Sequence, residues 1–124
     1  DLTKAASIRA INFNEASLLT CFSNDYGYES WVEKALDFYA DSNDMVILIS
    51  SSGQSKNMIN GAKRAKSIGL NVITLSGFLK SNPLRKLGDV NLWVDSEAYN
   101  VVEMTHNIWL LSIVDYIIEN DSDS

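Results

Sequence analysis

The sequence predicts an α/β fold, a parallel sheet with helices on both faces. Three observations predict it. Strand-like and helix-like segments alternate almost strictly along the 124 residues, as parallel strands joined by helical crossovers require. Met45 to Ile49 is an unbroken apolar run rich in β-branched residues, the mark of a strand buried on both faces. The segment after Ser55 places Met58, Ile59, Ala62, Ala65 and Ile68 on one side and leaves Lys56, Lys63, Arg64 and Lys66 mostly elsewhere, which is an amphipathic helix.

The elements follow in order. Asp1 to Ala6 reads like the inside or end of a helix, and with no initiator methionine the sequence reads as lacking its beginning. Ile8 to Phe13 is partly alternating and predicts a strand. Asn14 caps a short helix over Glu15 to Phe22. "SNDYGY" then predicts a turn, with Gly27 free to take a positive φ. Trp31, Leu36 and Phe38-Tyr39 recur at helical spacing, so Glu29 to Ala40 is a helix, broken by "DSND". Beyond the helix that starts near Lys56, Gly69 suits a C′ position. "NVITLSG" is the next strand, "NPLRKLG" a short helical turn with Pro83 near its first position, and Val90 to Val94 another strand. The last helix runs from near Tyr99 to about Glu119, with a broad apolar face from Met104, Ile108, Leu111, Val114, Ile117 and Ile118. At least four strands are expected, in one domain over residues 1–119, followed by a frayed acidic tail over 120–124. No internal repeat, linker or second domain is visible.

Composition narrows the function classes. The length suits one domain with a core of useful size. A net charge of −6 makes the chain a poor partner for a nucleic-acid backbone, although one small anion in a local pocket is compatible with it. Cys21 is the only cysteine. An intrachain disulfide and a multi-cysteine zinc site are therefore excluded, and a reducing, cytoplasmic setting fits. No apolar run approaches membrane-spanning length and no signal-peptide pattern opens the chain, so no membrane partner is expected.

"ISSSGQS", residues 49–55, carries the chemistry. In a parallel α/β sheet, ligands bind beyond the carboxyl ends of the strands. This loop lies there and leads into a helix whose first amides are unpaired and at the positive end of the dipole. Those amides and the serine hydroxyls can hold a phosphate, and Gly53 lets the backbone come close. The plainer alternative is that Ser55 is an N-cap and the other serines fill a turn. The motif is not a Walker A loop, a dinucleotide-binding G-x-G-x-x-G or a G-x-S-x-G nucleophile elbow. A serine hydrolase would have to use His106, the only histidine, inside the last helix.

"ILISSSGQSKNMINGAKRAKSIGLNVITLSG" resembles the sugar isomerase (SIS) domain, in which a strand runs into an S-x-S-G-x-S loop, a helix and a G-x-x-V-I-x-L-T/S-G strand. "CFSNDYGY" is similar to the C-x-x-N-D-F/Y-G segment of phosphoheptose isomerases, and "DLTKAASIRAINFN" resembles the stretch after that branch's first ligand-binding helix. The resemblance spans essentially the whole chain. It implies a flavodoxin-like three-layer fold whose N-terminal strand and helix precede Asp1. It implies a sugar phosphate ligand, with Ser50, Ser52 and Ser55 on the phosphate-binding hydroxyl positions. Ser51, Gly53 and Gln54 then line the loop, and Asn24 and Asp25 sit beside the sugar. It implies aldose–ketose isomerisation, which needs a base and an acid around an enediol. It also implies a homodimer or homotetramer.

Many members of the branch use a metal, and zinc is the cofactor the resemblance suggests. The visible ligand positions are not kept, so no residue here is assigned to a metal. The family's glutamate falls at Asp1, its glutamine at Val102 and its histidine at Leu110. The catalytic candidates are therefore Asp1, Glu103 and His106. His106 shares a helical face with Val102 and Leu110, four residues from each. Alternatively His106 is a buried, hydrogen-bonded residue or a subunit contact, and Glu103 a solvated acid. Trp31, Trp93 and Trp109 read as core or interface residues, and Lys63, Arg64 and Lys66 as a solvated face. The substituted positions leave a second function open, a non-catalytic SIS module that senses a phosphosugar or binds a protein, of the DnaA-initiator-associating type.

Overall fold

The computed structural model describes residues 1–121. Its elements are α1 (Ala16–Tyr26), α2 (Trp31–Tyr39), β1 (Met45–Ser50), α3 (Lys56–Ser67), β2 (Asn71–Ser76), a 3₁₀ turn (Leu84–Lys86), β3 (Val90–Trp93) and α4 (Tyr99–Asp121). The strands form one parallel sheet in the order β1-β2-β3. Met45 faces Asn71 and Ser50 faces Ser76, so β1 and β2 end level. Ser76 in turn faces Trp93 of β3. That level edge at the carboxyl ends is where the serine loop emerges.

Side-chain alternation sets the main core. Leu48 and Val72 point to one face and meet α2 and α3 through Val32, Ala35, Leu36, Ala62 and Ala65, with Phe22 of α1 and Trp31 closing the cluster. Small residues on α3 let it approach closely. A Cβ on Gly61 would stand 2.5 Å from a Val32 methyl. Leu75 alternates to the other face and is also fully buried, and α4 meets the end of β2 on that side.

Several expectations are corrected. Ile8–Phe13 is not a strand, and the described residues hold three strands rather than four. The segment folds back on the first turn instead. Ile8 N–H donates to Leu2 O at 3.0 Å, and Ala10 N–H donates to Thr3 Oγ1 at 3.2 Å. Ile8 and Ile11 are exposed, so no buried face fixes a ladder register. Helix α1 starts one residue later than expected, with Glu15 as its cap, accepting from Leu18 N at 3.0 Å. It also runs on through "SNDY" to Tyr26, and Gly27 at φ +87° ends it. The run Met45–Ile49 is buried on one face only. Met45, Ile47 and Ile49 are 60, 38 and 42% exposed because α2 and α3 cover the opposite side.

Helix α4 differs from expectation in two ways. Its inward residues are Val102, His106 and Val114, whereas Met104, Ile108 and Leu111 are exposed. Residues Tyr99–Asn120 are also long and apolar enough, by length and composition, to cross a membrane. Scattered polar residues hid this from a search for unbroken runs. A helix apolar almost all round has more than one face to cover, and the sheet covers one. The helix reaches Asp121, past the expected end at Glu119, and the rest of the expected tail, residues 122–124, lies outside the described residues.

Charge ties α2 to α3. Asp37 receives Arg64 Nε, and Lys34 Nζ lies 3.3 Å away. Burial pushes the Asp37 carboxyl up, but the hydrogen bonds and charges of Arg64 and Lys34 outweigh this and hold it below its ordinary value. A carboxyl depressed in the folded state stabilises above its unfolded pKa of about 4. That stability is lost as pH falls through the folded value. Asp37→Asn should therefore lower stability near neutral pH and flatten its decline below about pH 4, as urea melts across the acid range will show.

Candidate functional site

The loop is shaped by one turn and one buried side chain. Gly53 N–H donates to Ser50 O at 2.9 Å, closing a tight turn as β1 ends. Gly53 takes φ +66°, and a Cβ there would stand 2.0 Å from Asn82 Oδ1. Only glycine satisfies both the left-handed backbone and that contact. Asn82 is 1% exposed and uses both ends of its amide. Its Nδ2 donates to Ser76 Oγ (3.1 Å), Gly77 O (3.2 Å) and Leu79 O (2.9 Å), and its Oδ1 accepts from Arg85 N (2.9 Å). Leu84 N–H donates to Gly53 O at 3.1 Å, so the 82–85 segment braces the serine loop from below. Sequence reading placed a helical turn here and missed Asn82. Its only signal was an asparagine just before Pro83, which any surface turn would share.

The serines do different things. Ser50 is buried and its hydroxyl pairs with Ser55 Oγ at 3.0 Å. Ser52 Oγ accepts from Gln54 N at 3.2 Å, which folds the tip. Ser55 occupies the N-cap position of α3, yet its side chain makes no capping bond. The hydroxyl is turned to Ser50 instead. Met58 N is taken by Asn57 Oδ1 at 2.9 Å. The amides of Lys56 and Asn57, in the first helical turn, have no intrahelical acceptor by geometry. Such an N-terminus beside two hydroxyls suits an anion.

Glu103 joins the loop, where Ser51 Oγ donates to its Oε1 at 3.4 Å. Behind this contact Gly77 N donates to Ser51 O at 2.8 Å. A Cβ on Gly77 would meet the Val102 methyls at 2.7 and 2.8 Å, so Val102 is a fully buried packing residue. His106 is 3% exposed, with Nε2 donating to Ser76 O at 3.0 Å and Nδ1 buried without a partner. It anchors α4 to the end of β2. Asp1 lines a separate cavity of about 360 Å³ that also takes in Leu110.

The resemblance implies zinc, and these residues do not fit it. Val102 and Leu110 offer no ligand atom, and the described residues contain no group of three or more His, Cys, Asp or Glu side chains that would hold a metal. Asn24 and Asp25 lie exposed on the last turn of α1, with Asn24 Nδ2 bonded to Asp25 Oδ1 at 3.1 Å. No hydrogen bond among the described residues joins them to the serine loop. The α1–α2 turn reaches the loop's far end instead. Glu29 Oε1 holds Lys56 Nζ at 2.9 Å, and Glu29 O accepts from Asn60 Nδ2 at 3.0 Å. Both partners of the Lys56–Glu29 pair are largely exposed, so it is worth little and Lys56 can leave it for an anion.

The fold and loop define a parallel α/β domain with a serine-rich turn between its first strand and the helix that follows. The chain belongs to the SIS domain family, whose profile matches residues 3–77. Within it, the chain is phosphoheptose isomerase-like. It is 32% identical over 111 residues to the phosphoheptose isomerase of Helicobacter pylori, covering 89% of this chain and 57% of that protein. It is 32% identical over 103 residues to a probable phosphoheptose isomerase of Thermoplasma volcanium, covering 83% and 52%. The structure of a phosphoheptose isomerase from Neisseria gonorrhoeae superposes with a TM-score of 0.84 at 26% identity, over 94% of this chain and 66% of that one. The chain spans about half the length of the curated relatives it matches.

Gly53→Ala should destabilise the protein by about 2–3 kcal/mol, combining an unfavourable backbone with a clash against a fully bonded asparagine. Urea unfolding measures it. Gly69→Ala, also at positive φ but with open space around its Cβ, should cost less.

Proposed function

We propose that this chain carries the phosphate-binding part of a sugar phosphate aldose–ketose isomerase of the phosphoheptose type. The observation that carries the reading is the Ser55 hydroxyl turned away from α3. It leaves the Lys56 and Asn57 amides free of a side-chain cap at the carboxyl end of β1, in a chain whose relatives are named phosphoheptose isomerases. The Lys56 and Asn57 amides, with the Ser52 and Ser55 hydroxyls, donate to the phosphate. Ser50 fixes Ser55, and Gly53 and Gln54 shape the tip. Ser51 and Glu103 face the sugar, with Asn24 and Asp25 assigned to it by resemblance. Isomerisation moves a proton between neighbouring carbons through an enediol. Glu103 is the base within reach of the loop. His106, with Nε2 committed to Ser76, serves by holding α4 in place. Asp1, a candidate by resemblance, lines its own cavity with Leu110, and no proton-transfer step is given to it.

The reading extends to one domain that takes in α4 as far as Asp121, a cytoplasmic setting and a homo-oligomer. The exposed apolar residues of α4 and of β1 support the last of these, since closed symmetric assemblies bury such faces. The rival, a non-catalytic phosphosugar sensor, rests on Val102 and Leu110 standing at the glutamine and histidine positions of the resemblance, and the relatives, named phosphoheptose isomerases, do not favour it.

Replacing Ser52 and Ser55 together by alanine should weaken sedoheptulose 7-phosphate binding by about 10- to 100-fold, the loss of two bonds to a charged group. Calorimetric titration of the intact protein measures this, and unchanged affinity removes the phosphate assignment. Aldose formation from the same compound, followed with and without added zinc, separates the enzyme from the sensor. The isomerase reading predicts turnover, and binding without turnover would favour the sensor.

A further inference from the structure

Next to the serine loop stands a feature that phosphate binding does not use. Phe78 follows β2 with φ +57°, a left-handed backbone that a bulky side chain avoids. Two hydrogen bonds brace it there. Gly77 N donates to Ser51 O and Phe78 N donates to Ser96 O, both at 2.8 Å. The outcome is a ring set against Tyr99, with centroids 4.8 Å apart. Tyr99 is 57% exposed, so the pair is not sealed into the core. Tyr99 opens α4, and Glu103 lies one turn further on the same side. Glu103 returns to Ser51 at 3.4 Å. Ser51, Gly77-Phe78, Tyr99 and Glu103 therefore make a closed circuit around one edge of the loop.

We propose that Phe78 and Tyr99 form an aromatic wall that receives the carbon chain of the ligand, beside the hydroxyl-binding carboxylate of Glu103. The inference rests on the phosphate reading above and specifies what the phosphate is attached to. A polyhydroxylated chain presents C–H faces and hydroxyls on different sides. The C–H face packs on aromatic rings, and the hydroxyls donate to a carboxylate. Inorganic phosphate would use the serine loop and leave the wall empty. The backbone at Phe78 holds the wall in place before the ligand arrives, which limits the ordering cost of binding.

The test compares two probes, sedoheptulose 7-phosphate and inorganic phosphate, titrated calorimetrically into the intact protein. Tyr99→Ala should weaken the sugar phosphate about 3- to 10-fold and leave inorganic phosphate within about twofold. Tyr99→Phe keeps the ring and should restore sugar phosphate affinity. Tyr99 is exposed and alanine favours a helix, so the variant should fold. Equal effects on both probes, no effect on either, or a phenylalanine variant as weak as alanine would overturn the wall. Failure of inorganic phosphate to bind the unaltered protein would instead overturn the loop assignment beneath it, and the wall with it.

Discussion

Asn82 is the side chain on which the site's shape depends. A buried amide is costly unless every polar atom is satisfied, and this one is satisfied only by the chain around it. Its donors go to Ser76, Gly77 and Leu79, and its acceptor takes Arg85. These bonds fix the end of β2 and the segment before the 3₁₀ turn. Its Oδ1 and Cγ then occupy the space where a Gly53 side chain would be. The serine loop thus has a floor as well as a turn. From that floor upward the rest follows, with Ser50 bonded to Ser55, the first α3 amides left without a serine cap, and Ser51 held between Gly77 and Glu103.

Much of this was legible in the sequence, for physical reasons. Strands β1 to β3 and helix α3 are local patterns of apolar spacing and turn chemistry, and the parallel sheet follows from their alternation. The position of the serine loop at a strand's carboxyl end came with them. Ile8–Phe13 misled because alternation describes a strand without providing an edge to pair with. "SNDYGY" misled because turn-forming residues also end helices, and Gly27 stops α1 one turn later than expected. The bonds of Asn82 and the choice of Ser55 between helix and Ser50 are three-dimensional competitions. No spacing rule encodes them.

The apolar breadth of α4 was legible, but not which side the sheet would take. Val102, His106 and Val114 face inward, and the more strongly apolar Met104, Ile108 and Leu111 face out. Close approach explains the choice. Gly77 lets Val102 settle over the end of β2, and His106 meets the Ser76 carbonyl one turn later. Val102 stands where the resemblance places a glutamine and packs there instead. The same contact carries Glu103 to the loop, so a packing residue also positions the loop's carboxylate.

The central claim is that the serine loop and the first turn of α3 bind phosphate. Titrating inorganic phosphate into the isotopically labelled intact protein, and following each amide by NMR, tests it most directly. The account predicts saturable shifts that are largest from Ser52 to Asn57, with a smaller response of the Asn82 side-chain amide beneath them. Saturable shifts centred on the basic face of Lys63 to Lys66, with the loop unmoved, would contradict it.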